Sequence, residues 1–390
     1  MRIVHLCLCG LFGEKYAYQD NLLTKYHKKM GHDVTIIAPT AAKFTSNGDV
    51  VDEPAGCKIL DNGCKLIRVE NKYKSPNFNR HFHLFKDITP IILNEKPDLI
   101  FVHNVSSFNY LCLLKVKKQM PLVKIVFDSH MDEFNSNQNL LSKILNGFVL
   151  RFFLVRRLLK LSDTFYGVTP SRCTFLENVF GVPSQKVRLL CMGADDEKID
   201  LPHKDEIRQS VRNKYHVTDD DFLIVTGGKI DKVKNIHLLA KAVSQIDNPH
   251  VKILLFGSVV DELKPYIESL VSDQVIYIGW INSDTVYDYF FAADLVMFPG
   301  LHSAMWEQAV ASRVPIVVTK LRGFDHVDFN GNCLFMDGKG VDYYQAFIES
   351  LVADKRHYLQ IKAHADNEGA DQFLYSHIAK KVVEDAFVNS

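Results

Sequence analysis

The chain has 390 residues, 47% of them hydrophobic and 24% charged, with a formal net charge of zero. At roughly 150 residues per domain this length predicts two or three domains, and neutrality removes the long-range field on which a general nucleic-acid binder depends. No run reaches the ~20 apolar residues of a transmembrane helix, and the opening MRIVHLCLCGLFGEKY is unlike a signal peptide. Eight cysteines scattered without paired spacing read as reduced thiols of a cytoplasmic protein, Cys7 and Cys9 among them as buried strand residues.

In chain order, RIVHLCL (from Arg2), DVTIIAP (from Asp33), DLIFVHN (from Asp98), KIVFDSH (from Lys124) and TFYGVTP (from Thr164) read as buried strands, rich in β-branched and aromatic residues. Between the first two, Leu22, Leu23, Tyr26 and Met30 recur at helical spacing and Gly31 marks the stop. A polar, charged stretch from Gly193 carries Pro202 and reads as linker, then as the first helix of a second domain. The strand–helix alternation resumes with FLIVTGG, VKILLFG, VIYIG, DLVMFPG and PIVVT. This is α/β architecture: two Rossmann-like domains with parallel sheets facing across a cleft. The boundaries are 1–200 and 201–372, followed by a C-terminal helix in 373–390 that can pack back on the N-terminal domain.

Ligands of such sheets bind beyond the carboxyl ends of the strands. The first strand ends in CGLFGEKY, where Gly10 and Gly13 let backbone approach an anion. The spacing is not G-x-G-x-x-G, so a nicotinamide cofactor is poorly supported. FDSHMDEF places His130 near Asp128 and Asp132, a histidine suited to a sugar hydroxyl or phosphate with a carboxylate to orient its ring. In GGKIDKVKN, Lys229 and Lys234 flank a turn after Gly228, and two ammonium groups there can clamp a diphosphate; the bland alternative is a pair of solvated surface lysines. FPGLHSAMWEQAVAS reads as a turn leading into a helix. Backbone donors around His302, Ser303, Ala304 and Met305 offer an anion site, and Glu307 can accept from a ribose diol. The acids Asp195, Asp196 and Asp219 to Asp221 read as solvated groups rather than metal ligands.

Together with YGVTPSRCTFLENVFGVPSQKVRLLCMGAD and YIGWINSDTVYDYFFAADLVMFPG, these motifs resemble the family 4 glycosyltransferases of GT-B fold over essentially the whole chain. By that resemblance Lys229, in place of the family's arginine, and Lys234 hold the donor diphosphate, helped by Gly10, Gly13, Gly228, Ser303, Ala304 and Met305. Glu307 holds the ribose, and His130 faces the transferred sugar together with His302 and Ser303. The family's first glutamate is Pro299 here, which moves sugar contacts toward His302 and Ser303. PG-x-HS-x-x-WEQA resembles a variant of bacterial surface-polysaccharide transferases. The resemblance implies retaining, metal-independent transfer of a hexose or N-acetylhexosamine from a UDP- or GDP-sugar to a glycan or lipid-linked acceptor, with no cofactor. A GT-B sugar-nucleotide epimerase and a non-catalytic sugar-binding protein are the alternatives.

Residues 143–163, KILNGFVLRFFLVRRLLKLSD, carry Arg151, Arg156, Arg157 and Lys160 among apolar residues. They read as a basic amphipathic helix able to lie on an anionic membrane, or as a core helix whose arginines reach into solvent. The two readings are compatible if one edge touches lipid.

Overall fold

The computed structural model describes residues 1–14, 16–44, 50–75, 83–162 and 164–387. The chain divides into two units, Met1–Met192 together with Tyr375–Ser390, and Gly193–Leu374. Every strand read from the sequence is present.

The first unit holds β1 (Arg2–Leu6), β2 (Asp33–Pro39), β3 (Ala41–Phe44), β4 (Val50–Asp52), β5 (Gly56–Ile59), β6 (Lys65–Val69), β7 (Leu99–Val102), β8 (Lys124–Ser129), β9 (Thr164–Gly167) and β10 (Val187–Leu189). Its sheet has the order β10-β9-β8-β7-β1-β2-β6-β5, with β3 and β4 forming a separate hairpin. All ladders of the sheet are parallel except the edge pair β5 and β6. The central strands are buried on both faces, which is why they read as unbroken apolar runs. The sequence reading missed β3 to β6 and β10, which are short and partly exposed, so no apolar run announces them.

Helix α1 (Gln19–Lys29) buries Leu22, Leu23 and Tyr26, and Gly31 beyond it takes φ +83°. Against the same sheet face lies the last helix of the chain (Tyr375–Phe387), where Ile378, Ala379 and Val382 join Ile3, Leu99, Phe101, Val126 and Tyr166 in one cluster. Full burial of each aliphatic side chain contributes about 1.5–3 kcal/mol. Asp385 pins this helix, accepting from Tyr166 Oη at 2.9 Å and Arg188 Nη1 at 2.6 Å.

On the opposite sheet face a helical stretch at 140–158 buries Leu150, Leu154, Val155 and Leu158 against Val4, Leu6 and Phe127. Asp163, the end of the basic stretch read from the sequence, lies outside the described residues, as do 388–390 of the C-terminal segment.

The second unit has β11 (Phe222–Gly227), β12 (Val251–Phe256), β13 (Val275–Tyr277), β14 (Leu295–Phe298), β15 (Ile316–Thr319) and β16 (Cys333–Met336), in the order β13-β12-β11-β14-β15-β16. All of its ladders are parallel. The linker helix Lys204–Lys214 is fastened to this unit by Arg212, fully buried, whose guanidinium donates to Asp294 Oδ2 and to the carbonyls of Ala292, Thr218 and Asp221.

Candidate functional site

At the carboxyl ends of β11 and β14, two loops of the second unit are laced together. β11 runs into Gly228, whose φ of +113° favours glycine, and a Cβ there would lie 2.7 Å from Met305 Cε. Asp231 Oδ1 then accepts from the amides of Val233 and Lys234, both at 3.0 Å, and turns the chain back. Lys234 Nζ donates to the carbonyls of Leu301 at 2.6 Å and His302 at 3.2 Å. Asn235 Nδ2 donates to the Pro299 carbonyl at 3.0 Å. Burial lowers the Lys234 pKa, opposed by Asp231. Lys229 is 67% exposed, its Nζ 3.9 Å from Asp231.

The helix carrying Glu307, α2 (Met305–Ala311), follows the turn read from the sequence, and no side chain caps it. Ser303 and Ala304 shape the turn before it, their carbonyls accepting from the amides of Trp306 at 3.0 Å and Gln308 at 3.1 Å. Glu307 is fully buried. Its Oε1 accepts from His302 Nε2 and His326 Nε2, each at 2.9 Å, while Oε2 has no partner among the described residues. Burial pushes the carboxyl up, but His302 and then His326, through charge and hydrogen bonds, outweigh it and hold Glu307 below the usual carboxylate range. His302 also meets Trp306 edge-on, ring centres 5.1 Å apart.

Among the described residues, His302, Glu307 and His326 form the group that could hold a metal ion. Both imidazoles address one oxygen at hydrogen-bond separation, and the buried His326 Nδ1 lacks the acceptor that orients a metal-bound imidazole. The geometry is that of a charge-assisted hydrogen-bond cluster. The sequence reading missed His326. It lies in the turn-rich GFDHVDFNG beyond β15, at the same sheet end as α2, and only that position signals it.

Gly10, Gly13 and His130 belong to the first unit. Gly10 is exposed, with open space where a Cβ would be. Gly13 is a packing position, since a Cβ would meet the Tyr16 ring at 2.3 Å and the Ala42 carbonyl at 2.8 Å. α1 starts only at Gln19, so neither glycine leads straight into a helix. His130 lies just beyond β8, its side chain 32% exposed and Nε2 3.6 Å from Asp128 Oδ2. Asp132 does not orient it; that carboxylate caps the short helix Glu133–Ser136 and pairs with Arg172 Nε at 3.2 Å.

Residues 21–198 match the family model Glycosyltransferase Family 4, and residues 207–368 match Glycosyl transferases group 1. The chain belongs to the family 4 glycosyltransferases. An uncharacterised glycosyltransferase of Methanocaldococcus jannaschii is 24% identical over 216 residues, 53% of this chain; the chain spans about half the length of that relative, 55%. Among solved structures, sucrose-phosphate synthase from Thermosynechococcus elongatus resembles this glycosyltransferase with a TM-score of 0.69 at 14% identity, covering 100% of both chains. The Anabaena HepE protein in complex with UDP and glucose gives 0.66 at 14%, covering 98% of each. At such identities the likeness shows the fold, which is GT-B.

Proposed function

We propose that this glycosyltransferase moves a hexose or N-acetylhexosamine, with retention of configuration and without a metal, from a nucleoside-diphosphate sugar to a glycan or lipid-linked acceptor in polysaccharide biosynthesis. The observation that carries the reading is the lacing of Lys234 to the turn before α2, beside a buried carboxylate with one unpartnered oxygen. An ammonium and a carboxylate so placed suit the two ends of a ribose diphosphate. HepE, of the same fold, has been captured with UDP, which supports the reading. The diphosphate draws Lys234 Nζ off the Leu301 and His302 carbonyls, the turn shifts, and Glu307 Oε2 accepts from the ribose hydroxyls. The leaving diphosphate takes the acceptor proton, and the protein contributes mainly electrostatic stabilisation from Lys229, Lys234 and backbone amides. Calorimetric titration with UDP, GDP and free monosaccharides tests this: a nucleoside diphosphate binds, with unchanged affinity after dialysis against EDTA, and binding of free sugar alone overturns the proposal.

Lys234→Ala should weaken nucleoside-diphosphate binding more than Lys229→Ala, because Lys234 also holds the turn while Lys229 Nζ stands in solvent. A charge-assisted contact is worth about 1.5–3 kcal/mol. Equal affinities in both variants and the parent, with the fold intact, return the lysines to the solvated surface.

The reading extends to a membrane. No helix among the described residues is long and apolar enough to cross one. The 140–158 stretch nevertheless exposes Leu140, Leu141, Ile144, Leu145, Phe148, Phe152 and Phe153, each at least 42%. Lys143, Arg156, Arg157 and Lys160 are exposed with them. The inner edge of the stretch is core and the outer edge is apolar with a basic margin, a pattern suited to the surface of an anionic bilayer. Peripheral attachment there brings a lipid-linked acceptor within reach. Co-sedimentation with liposomes should rise with anionic lipid, fall with salt, and drop in Phe148→Ser/Phe152→Ser. Indifference to anionic lipid and salt defeats the assignment.

A further inference from the structure

The first unit buries a chain of imidazoles that the proposed reaction does not use. His27 Nε2 lies 3.1 Å from the Ala379 carbonyl on the C-terminal helix, His27 Nδ1 3.0 Å from His5 Nε2, and His5 Nδ1 3.0 Å from His103 Nε2. All three rings are buried. A carbonyl only accepts, so His27 Nε2 carries a proton and its Nδ1 accepts. His5 must then donate from Nε2 and accept at Nδ1, and His103 must donate from Nε2. The far atom, His103 Nδ1, lies between two carboxylates, Asp20 Oδ1 at 3.2 Å and Asp128 Oδ2 at 3.4 Å, neither aligned as a directed hydrogen bond but both favouring a proton on it. It therefore carries a proton as well.

We propose that His27 and His5, anchored on the Ala379 carbonyl, lock His103 as an imidazolium, and that this charge, through Asp128, positions His130. The last step rests on His130 serving the transfer reaction. Asp128 is the junction. It accepts from the Asn104 amide at 2.7 Å and Gln19 Nε2 at 3.3 Å, and meets His130 Nε2 at 3.6 Å. The chain ends on a carbonyl that cannot take up a proton, so it orients and does not relay.

The groups facing the chain are Asp20 from α1, Asp128 from β8, Cys7 beyond β1, and His32, whose ring centre is 6.2 Å from that of His27. Burial pushes the Cys7 thiol up to about 12, so it is neutral at pH 7 and the two carboxylates hold the charge. Burial disfavours a charged His103, and Cys7, then Asp20 and Asp128 act against it to raise the pKa; with Cys7 neutral, the charge and hydrogen bonding of the two carboxylates are what favour the imidazolium. Burial lowers His5, and lowers His27 to about 3. Neutral His5 and His27 therefore contribute stability above pH 6.5 that is lost as the pH falls toward 3.

Histidine nitrogen NMR of the full chain tests the lock without reference to catalysis. Both His103 nitrogens should be protonated at pH 7, with His5 and His27 as neutral Nε2–H tautomers. In His27→Phe, His5 is free to reverse its tautomer and His103 to become neutral, and the unfolding midpoint should fall less between pH 6.5 and 4 than in the parent. His27→Gln, whose amide can accept and donate, should restore the imidazolium. A neutral His103 in the parent at pH 7 overturns the lock. For the positioning step, UDP-glucose turnover in His27→Phe should drop by up to about 100-fold at unchanged KM and recover in His27→Gln. A confirmed lock with unaltered turnover overturns the positioning role. A parent that turns over no UDP- or GDP-hexose or N-acetylhexosamine speaks against the proposed reaction and leaves the NMR result standing.

Discussion

Glu307→Ala is expected to lower folding stability by about 3–5 kcal/mol at neutral pH, because it strands two buried imidazoles that share one carboxylate oxygen. Glu307 is fully buried and takes His302 and His326 at 2.9 Å each, so both imidazoles lose their acceptor together. Glu307→Gln keeps an oxygen for both histidines and removes only the charge. It should fold and lose about 1.5–3 kcal/mol of ribose-dependent nucleotide affinity. Denaturant unfolding reads the first effect, and comparison of UDP with its 2′-deoxy analogue reads the second. A parent protein that does not distinguish those two ligands removes the ribose role. The pH dependence has a definite sign. The Glu307 pKa is depressed, so its contribution is present above the unfolded value of 4.5 and is lost as the pH falls below it.

Gly300→Ala should abolish most donor affinity while leaving the sheet intact. A Cβ at Gly300 would lie 2.4 Å from Lys234 Cα and 2.6 Å from the Lys234 carbonyl oxygen. Both are backbone atoms with no flexible end to give way, so the two loops must separate. Overpacking of this kind costs about 1–3 kcal/mol. The ammonium then no longer reaches the turn before α2. Gly147→Ala is the control. Its Cβ meets nothing within 4 Å, and in a helical stretch the change should stabilise by about 0.5–1 kcal/mol. Parallel circular dichroism and UDP titration separate the outcomes, and a Gly300→Ala protein that binds UDP normally shows that the lacing is not needed.

The motifs of the second unit were legible for a physical reason. Gly228 is demanded by a positive φ, and β11 to β15 are apolar runs because their sheet is buried; β16, which the sequence reading missed, is only half-buried along its length. β5 was illegible because all four of its residues are exposed at a sheet edge, where nothing enforces an apolar pattern. His326 was illegible because its role depends on a loop meeting a helix 19 residues earlier. At Gly13 a side chain would meet the Tyr16 ring, a neighbour that spacing alone does not identify.

The sequence by itself determined the two-unit α/β architecture, the positions of most buried strands along the chain, and the family, because periodicity, turn chemistry and local motifs are properties of neighbouring residues. Tertiary structure alone decided which polar groups meet. His5, His27, His103 and Ala379 come from two strand ends and two helices, and their hydrogen bonds span separations of up to 352 residues. Protonation in such a chain follows from which atom faces a carbonyl and which faces a carboxylate, and only the packed fold brings those atoms within 3 to 4 Å of one another.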